Sequence, residues 1–380
     1  MKYCKKCLQP DTRPNTKFSN EGICPACIYF DELKNVDWEE RYEILLSEIE
    51  KYRSRPNQMF DCIIGVSGGK DSTRQALWVR DKLKLKPLLV SLNYPPEQIT
   101  NRGTENLSNL IELGFDVLIS APSPGIWRKL MKESFLKFTN WARSTELALF
   151  SSVPQLAIKY EIPLILWGEN PGLQLGDMKT LGKNGYDGNN LRNQNTLSGA
   201  SADWMKNAVP HDEKLIPYQY PPVKDFNDKN IQIIYLGWFL GDWSHKNNSA
   251  YSVLSGLDIR GDDDIDSVEN TGDLHRSTSL DENWVTLNQL IKYYKFGFGR
   301  VTDYLSEDIR LGNITRDKAI KLVEKYDASC SSDFISSFTD YIGISKERFW
   351  KIVHKSTNKD LFKIDKNGKI IPKFKVGKGL

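Results

Sequence analysis

The segment FDCIIGVSGGKDSTRQALWV, residues Phe60–Val79, decides the fold of this chain. Its first part, Cys62–Val66, is short, apolar and mostly β-branched, which predicts a buried strand. Its last part opens a longer stretch, Thr73–Leu83, in which apolar residues recur at the period of a helix. A strand that runs directly into an amphipathic helix is the building unit of α/β proteins, so the segment predicts a sheet with covering helices.

The turn between this strand and helix is SGGKDS, residues 67–72. Its two glycines let backbone N–H groups approach a ligand closely, and the dipole at the start of a helix favours an anion there. The hydroxyls of Ser67 and Ser72 add donors, and Lys70 adds a positive charge. The turn therefore predicts a phosphate cradle, although it is not a Walker A motif. A glycine turn with a serine helix cap is the ordinary alternative.

The composition is that of a soluble globular protein, with 39% hydrophobic and 27% charged residues among 380. No apolar run is long enough to span a membrane, and the first residues lack the apolar core of a secretion signal. We therefore expect a cytoplasmic protein with no membrane partner. The net charge of +3 does not favour a nucleic-acid partner.

Four of the six cysteines form two pairs near the start of the chain, Cys4-x2-Cys7 and Cys24-x2-Cys27. This spacing is typical of a structural zinc site, because each pair presents two thiolates to one tetrahedral ion. Two disulfides are the alternative, and the expected cytoplasmic location argues against them. We predict a zinc-ribbon-like module over residues 1–35. Four thiolates fill all the coordination positions of the ion, so the site is expected to be structural and not catalytic.

Four further apolar runs predict the remaining strands of the sheet. Ligands of such sheets bind beyond the carboxyl ends of the strands. That rule selects Asn93 after the second strand, and Gly168 with Glu169 after the fourth. A solvated loop acid is the alternative for Glu169. The runs are Pro87–Leu92, Phe115–Ser120, Ile162–Trp167 and Ile231–Leu236.

The hexad SGGKDS after a strand resembles the PP-loop of the ATP pyrophosphatase superfamily. The resemblance implies a parallel, doubly wound sheet of the adenine nucleotide alpha hydrolase-like type, and a loop that grips the pyrophosphate of MgATP. It also implies adenylation, in which a substrate oxygen receives the α-phosphate. Asp71 would then face magnesium or cap the loop. The pyrophosphate-binding residues that the resemblance implies are Ser67, Gly68, Gly69, Asp71 and Ser72.

Several longer segments resemble the N-acetyl sugar amidotransferase family (WbpG-type proteins) of bacterial surface-polysaccharide and flagellar-sugar pathways. Together they extend from Met1 to about Asp327. The resemblance implies that the acetamido oxygen of an N-acetyl sugar is adenylated and that ammonia then displaces AMP, giving an acetamidino sugar for lipopolysaccharide O-antigen or flagellin glycan. The segments are MKYCKKCLQPDTRPN, SGGKDS, LWGENP at 166–171, YLGWF at 235–239, LIKYYKFGFGRVTD at 290–303 and DIRLGNITR at 308–316.

Such an enzyme needs ammonia, and the chain has no recognisable Cys–His arrangement of a glutaminase. The family therefore implies a separate HisH-like glutaminase, which resembles the glutaminase subunit of imidazole glycerol phosphate synthase, and allows a HisF-like cyclase companion. The alternative function is a tRNA-modifying PP-loop enzyme of the thiolation or lysidine type. Thiolation commonly uses further cysteines, and only Cys62 and Cys330 remain here, the first expected inside a strand.

The second half of the chain is expected to complete the site. Lys295 and Arg300 flank a turn with two glycines, Gly297 and Gly299, which suggests a backbone close to a ligand and cations that reach phosphate. A solvated basic face is the alternative. We expect catalysis from Lys70, Asp71, Glu169 and Lys295, and nucleotide binding from Ser67, Gly68, Gly69, Asp71, Ser72, Asn93, Gly168 and Arg300.

The predicted organisation has three parts: the zinc module at 1–35, a PP-loop domain at 36–245, and a mainly helical C-terminal region at 246–380. The C-terminal region is expected to bind the substrate or a partner protein. Two loops and a tail complete this division. Residues 172–208 form a long loop that is a candidate lid over the sugar, and residues 258–273 an acidic, solvated turn. The tail is expected to form a short hairpin around Lys366-Asn-Gly.

Overall fold

The computed structural model describes residues 1–53, 58–177, 188–193, 197, 202–261 and 264–380. Within these residues one parallel sheet has five strands in the order β3-β2-β1-β4-β5, and a small antiparallel pair, β6-β7, lies near the C-terminus. The strands are β1 Cys62–Gly65, β2 Pro87–Leu92, β3 Val117–Ser120, β4 Leu164–Trp167, β5 Gln232–Tyr235, β6 Phe362–Ile364 and β7 Ile370–Pro372.

The helices cover both faces of the parallel sheet and then form most of the C-terminal region. Those before β5 are α1 Pro25–Glu32, α2 Trp38–Glu50, α3 Lys70–Asp81, α4 Asn101–Glu112, α5 Pro124–Phe138, α6 Ala142–Lys159, α7 Pro171–Leu175 and α8 Val223–Asp228. Those after it are α9 Leu236–Phe239, α10 His245–Val253, α11 Val268–Thr271, α12 Trp284–Phe296, α13 Arg300–Arg310, α14 Arg316–Tyr326, α15 Ser332–Ile342 and α16 Lys346–Ser356. Single 3₁₀ turns lie at Leu33–Asn35, Gly188–Asn193, Asp203–Met205, Asp212–Lys214, Ile216–Tyr218 and Asp264–Asp266.

Local sequence signals explain where several helices begin. Asp37 accepts hydrogen bonds from two amides at the start of α2, and the Thr100 hydroxyl accepts one from the Gly103 amide at the start of α4. These are ordinary N-caps, which satisfy amides that lack a partner within the helix. Pro124 stands in the first turn of α5, where its missing N–H has no consequence.

The central strand β1 separates two apolar cores. Ile63 packs into the core on one face together with α5 and α6, whereas Cys62 and Ile64 pack into the core on the other face. The strand is thus covered on both sides, as its unbroken apolar sequence predicts. The thiol of Cys62 is fully buried here, so the expectation that it packs inside a strand is confirmed.

The N-terminal module packs on the C-terminal region rather than standing apart. Tyr3 and Leu8 share an apolar cluster with Leu305, Phe362 and Phe374. In addition, α10 packs along α3, so the parallel sheet and the residues after 245 are continuous. The three-part division of the chain stays a prediction, and the contacts place its boundaries inside packed structure.

The C-terminal tail forms the expected hairpin, in which Lys363 of β6 pairs with Ile371 of β7. The candidate lid, 172–208, lies mostly outside the described residues. None of the described helices combines the length and the apolar sequence that a membrane crossing needs.

Candidate active site

The strand order reverses at β1, because β2 and β3 lie on one side of it and β4 and β5 on the other. Ligands of doubly wound sheets bind in the crevice that opens at such a point. A cavity of about 300 Å³ lies there, and we call it the first cavity. Its lining combines the turn after β1, the residues after β4 and a segment of the C-terminal region, Ser277–Asp281.

The turn after β1 has the backbone that its glycines predict. Gly68 has a φ of +79°, and a Cβ atom there would lie 2.9 Å from the backbone nitrogen of Leu107. Gly69 occupies the N-cap of α3, and its amide donates to the Ser67 hydroxyl at 3.3 Å. Backbone amides at a helix start beside a cavity of about 300 Å³ are suited to binding an anion.

Lys70 and Asp71 form an ion pair at the bottom of this site, with 2.6 Å between Nζ and Oδ2. Burial alone would lower the pKa of Lys70, but Asp71 and other anionic neighbours hold that pKa above its usual value. The other carboxylate oxygen of Asp71 accepts a hydrogen bond from the side chain of Asn248 at 2.6 Å. The pair is therefore fixed in place by α10, which the sequence did not link to the loop.

Glu169 follows β4 and lines the same cavity. Glu169 is exposed where it faces the cavity, although protein atoms lie close around its carboxyl group. This desolvation, helped by the nearby Asp71 carboxylate, raises the pKa of Glu169 to about 7. The two acids therefore offer carboxylate oxygens to one space, which suits a hard cation such as Mg²⁺.

Gly168 also lies where the strand-end rule expects it. A Cβ atom at this position would stand 2.8 Å from Oε1 of Gln75 and 3.3 Å from the Trp243 ring. A side chain at this position would therefore displace the Gln75 amide and press on the Trp243 ring, so glycine lets α3 and the segment after α9 close around the cavity. Trp243 is itself buried in the core.

The wall opposite the loop was missed by sequence reasoning. Ser277 and Thr278 are buried in this wall, and their hydroxyls have no hydrogen-bond partner. Asp281 completes the wall, and burial raises its pKa to about 6 despite a hydrogen bond from Tyr94. The only sequence signal was a run of hydroxyl residues in a loop, which is common and carries little information.

Four residues expected at the site lie outside the lining of the first cavity: Gly68, Asn93, Lys295 and Arg300. Asn93 follows β2, where its backbone amide donates a hydrogen bond to the carbonyl of Ser120 at 2.8 Å. The ammonium of Lys295 donates to the carbonyls of Phe138 and Thr139 at 2.7 and 2.9 Å, so it caps the end of α5. Burial lowers the pKa of Lys295 to about 8. The structure therefore gives Lys295 a structural contact and no place beside the loop.

The glycines near Lys295 serve intramolecular packing. A Cβ atom at Gly299 would lie 2.3 Å from the carbonyl oxygen of Asp327, whose carboxylate accepts a hydrogen bond from the Gly299 amide. The close approach expected of this glycine is real, but it is to the chain itself and not to a ligand. Arg300, by contrast, is buried and lines a second cavity next to the first.

The four N-terminal cysteines form one buried cluster in which all sulfur atoms lie within 4.8 Å of one another. Two of the separations are 3.9 Å, between Cys4 and Cys27, and 3.6 Å, between Cys7 and Cys24. Four thiolates at about 2.3 Å from one tetrahedral ion would be separated by about 3.8 Å. Backbone amides of Gln9 and Cys24 point at two of the sulfurs. The cluster fits a single metal ion.

Comparison with known families identifies the C-terminal region. Residues 275–375 match the family described as LPS biosynthesis protein WbpG-like, C-terminal domain. The matched range begins next to the wall Ser277–Asp281 and contains Arg300. The family resemblance drawn from the sequence is confirmed over this range, which is similar to a WbpG-like C-terminal domain. No curated protein matches the sequence significantly.

Solved structures that match this chain include two synthetases and a thiolase. An NH3-dependent NAD synthetase from Campylobacter jejuni is 16% identical, with 58% of this chain and 97% of that chain covered and a TM-score of 0.28. NMN synthetase from Francisella tularensis is 13% identical, with 59% and 89% covered and a TM-score of 0.29. The U34-tRNA thiolase NcsA from Methanococcus maripaludis, with its 4Fe–4S cluster, is 13% identical, with 91% and 98% covered and a TM-score of 0.26.

Proposed function

We propose that this protein is an ATP-using carbon–nitrogen ligase of the PP-loop type. The observation that carries this proposal is the first cavity, where the glycine loop, the pair Lys70–Asp71 and Glu169 face one space of about 300 Å³. Amides at the helix start would hold the pyrophosphate of ATP. Asp71 would hold Mg²⁺, which neutralises phosphate charge when it is bound.

The acceptor in this proposal is the acetamido group of an N-acetyl sugar. Its oxygen would attack the α-phosphorus, forming a new O–P bond as the bond to the departing pyrophosphate breaks. Ammonia would then add to the activated carbon, and AMP would leave with the former amide oxygen. The amide needs this activation because its oxygen is a poor leaving group until it carries a phosphate. A WbpG-like C-terminal domain, whose wall segment faces the loop, supports the choice of a sugar in lipopolysaccharide O-antigen or flagellin-glycan biosynthesis.

Glu169 is suited to proton transfer in the second step. Its raised pKa of about 7 lets the carboxylate accept a proton near neutral pH, when the attacking nitrogen must lose one. Ammonia itself would come from a separate HisH-like glutaminase, with a HisF-like cyclase as an allowed companion. The four-cysteine cluster would hold a structural Zn²⁺, since its sulfur separations suit one tetrahedral ion.

The two remaining cysteines disfavour the tRNA-thiolation alternative. Cys62 is fully buried within β1, and burial raises the pKa of its thiol well above the usual value. Burial raises the pKa of Cys330 to about 12. A thiol must ionise before it can carry sulfur. Neither residue is among the described residues that line the first cavity.

Product analysis tests the proposed reaction. Purified protein would be incubated with MgATP, an ammonium salt and a panel of N-acetyl sugars, and the products would be measured by mass spectrometry. We expect AMP, pyrophosphate and a sugar in which NH has replaced one oxygen. Nucleotide cleavage with tRNA but with no sugar would instead support the RNA-modifying alternative. No cleavage with any acceptor, even after a HisH-like glutaminase is added, would contradict the proposal.

A further inference from the structure

A second cavity, of about 220 Å³, adjoins the first. The two cavities share Lys70, Asp71, Ser279 and Tyr304, so the ion pair Lys70–Asp71 stands at their boundary. The remaining lining of the second cavity comes from α10, α12 and α13, and thus from the region that contains the WbpG-like domain. Apart from Lys70 and Asp71, the polar side chains of the second cavity therefore come from outside the loop.

Arg300 is the main feature of the second cavity. The residue is only 4% exposed, and its Nη2 donates to the Ser279 hydroxyl at 3.1 Å. Its Nη1 is buried and has no hydrogen-bond partner. Among the described residues, Arg300 takes part in no ion pair within 4.0 Å. A buried guanidinium with an unused N–H group lacks an acceptor, which a ligand in the cavity would supply.

The acidic residues around this cavity are already occupied. Asp71 is paired with Lys70, and Asp303 is paired with Lys292 at 2.6 Å and with Arg13. Glu307 accepts a hydrogen bond from the backbone amide of His245 at 2.9 Å. Burial raises the pKa of Glu307, which favours its neutral form. Asp281 and Glu282 interact with the charge of Arg300 at longer range, but among the described residues no carboxylate forms an ion pair with it, so the cavity favours an anion.

Two further polar atoms without partners face the same cavity. They are Nε2 of His245, a residue that is 8% exposed, and Oε1 of Gln289. Burial and the nearby Lys70 hold the pKa of His245 well below its usual value, so the imidazole is neutral and can donate or accept. A donor, an acceptor and a cation in one small space suit a polar, anionic ligand that also has hydroxyl or amide groups.

The pyrophosphate of ATP has its own place beside the loop. Ser67, Gly69 and Ser72 line the first cavity, and none of these three residues is among the described residues that line the second. The second cavity thus adjoins the phosphate site without containing the loop backbone that binds phosphate. A ligand in it would be a neighbour of the nucleotide, which is the position of the acceptor in adenylation.

We propose that the second cavity binds an anionic group of the acceptor, a carboxylate or a phosphate, through Arg300, while the acceptor's acetamido group lies in the first cavity. This inference rests on the proposed function and narrows it, because it makes the substrate an acidic or phosphorylated N-acetyl sugar. A neutral N-acetyl sugar would leave the Arg300 guanidinium buried without a partner. Since a hydrogen bond to a charged group is stronger than a neutral one, Arg300 would discriminate clearly between these substrates.

The test uses three probes that share an acetamido group and differ in their anion. They are N-acetylglucosamine, which is neutral, N-acetylneuraminate, which has a carboxylate, and UDP-N-acetylglucosamine, which has a diphosphate. Binding to the full chain with a non-hydrolysable ATP analogue and Mg²⁺ would be measured by calorimetry. At least one anionic probe should bind about tenfold or more tightly than the neutral probe. The stronger of the two anionic probes identifies the anion.

The variants Arg300→Gln and Arg300→Lys test the residue itself. The glutamine variant should lose the preference for the anionic probe, the lysine variant should keep part of it, and both should bind the ATP analogue like the wild type. Arg348→Gln, a change at an exposed arginine of α16, is the matched control and should change nothing. Circular dichroism checks that the variants fold, and the comparison of probes on the wild type needs no variant.

Three results would overturn the inference. The probes could bind the wild type equally, Arg300→Gln could keep the preference, or that variant could weaken binding of the ATP analogue while leaving the preference intact. The last result would assign Arg300 to the nucleotide. These results are separable from failure of the proposed function, because amidine formation is measured independently. An anion preference without an amidine product would contradict the proposed reaction and leave the anion site in place.

Discussion

The cysteine cluster and the glycine loop are both short motifs, but their surroundings differ. In the cluster all four thiols are at most 1% exposed, and they face one another. In the loop the functional groups face a cavity, and several polar atoms around it lack partners. The four thiols of the cluster are arranged as ligands of one metal ion, and binding of that ion stabilises the fold. The loop leaves groups unsatisfied until a substrate binds, which is typical of a reactive site.

The two regions are nevertheless connected through the C-terminal helices. Arg316 of α14 donates to the carbonyl of Cys7 at 3.2 Å, and Arg13 pairs with Asp303 of α13. The helix α13 also carries Arg300 and Tyr304, which line the second cavity. From sequence alone, metal removal should leave the chemistry untouched. The contacts indicate that it also disturbs the position of α13.

Replacing a cysteine of the cluster should have the largest effect. Cys24→Ser removes one of four metal ligands, and the binding energy of such sites is on the order of 10 kcal/mol or more in small zinc peptides. We expect loss of bound metal, measured by elemental analysis, and a large fall in Tm. Cys330→Ala, a change at a cysteine outside the cluster, is the control. Metal content equal to that of the wild type would contradict the account, and iron in place of zinc would correct the assigned metal.

Asp71→Asn should abolish most ATP cleavage while the fold is retained, although Tm falls because the buried Lys70 loses its ion-pair partner. It removes the charge that pairs with Lys70 and that would hold Mg²⁺. Removing one electrostatic group of a reactive site lowers kcat on the order of 10²–10³-fold. The measurement is AMP formation, and circular dichroism follows the fold. Asp81→Asn, at the far end of the same helix, should retain full activity, and equal activity of both variants would show that the loop is not the reactive site.

Lys295→Met should lower stability by about 1–3 kcal/mol and leave kcat unchanged. The reason is that the ammonium donates to two carbonyls at the end of α5 and lies outside the described lining of the first cavity. A lost hydrogen bond of a charged group has this magnitude. Denaturant unfolding and AMP formation would be measured on the same preparation. A large fall in kcat with unchanged stability would restore the catalytic role that the sequence suggested.

Glu169→Gln should have the smallest effect on stability, and one that depends on pH. The folded state raises the pKa of Glu169 from 4.5 to about 7, so folding favours the protonated carboxyl. This contribution is complete below the unfolded pKa and is lost as the pH rises through about 7. The glutamine variant should therefore gain Tm relative to the wild type at pH 8 and lose that gain near pH 5.

The control for this pH dependence is Glu161→Gln. Lys229 lowers the pKa of the exposed Glu161, so its replacement should bring no gain at pH 8. An identical Tm difference for Glu169→Gln at both pH values would contradict the raised pKa. It would also remove the reason to assign proton transfer to this residue.

The sequence predicted the sheet well because apolar runs and glycine turns are local signals. Pro87–Leu92 is a strand with the expected bounds, and the strands predicted from Cys62, Phe115, Ile162 and Ile231 differ from the structure by only a few residues at their ends. The loop and its neighbours Gly168 and Glu169 were found by motif and by the strand-end rule. Both signals depend on only a few consecutive residues.

What the sequence did not predict depends on contacts between distant segments. Asn248, which orients Asp71, is 177 residues away from it. Likewise, Asp266 and Asp273 were expected in a solvated turn, but both are buried and paired with the guanidinium of Arg260, at 2.8 and 3.4 Å. The expectation of a solvated turn was wrong for these two acids. An acidic run reads as solvated unless its distant arginine partner is known.

Transfer of oxygen from the sugar to AMP tests the central claim most directly. An N-acetyl sugar acceptor would carry a heavy oxygen isotope in its acetamido carbonyl, and AMP from a reaction with MgATP and ammonium would be examined by mass spectrometry. The proposed reaction predicts that the label appears in the phosphate of AMP, because the amide oxygen leaves with it. AMP without label, formed together with an amidine product, would contradict adenylation of the acetamido oxygen.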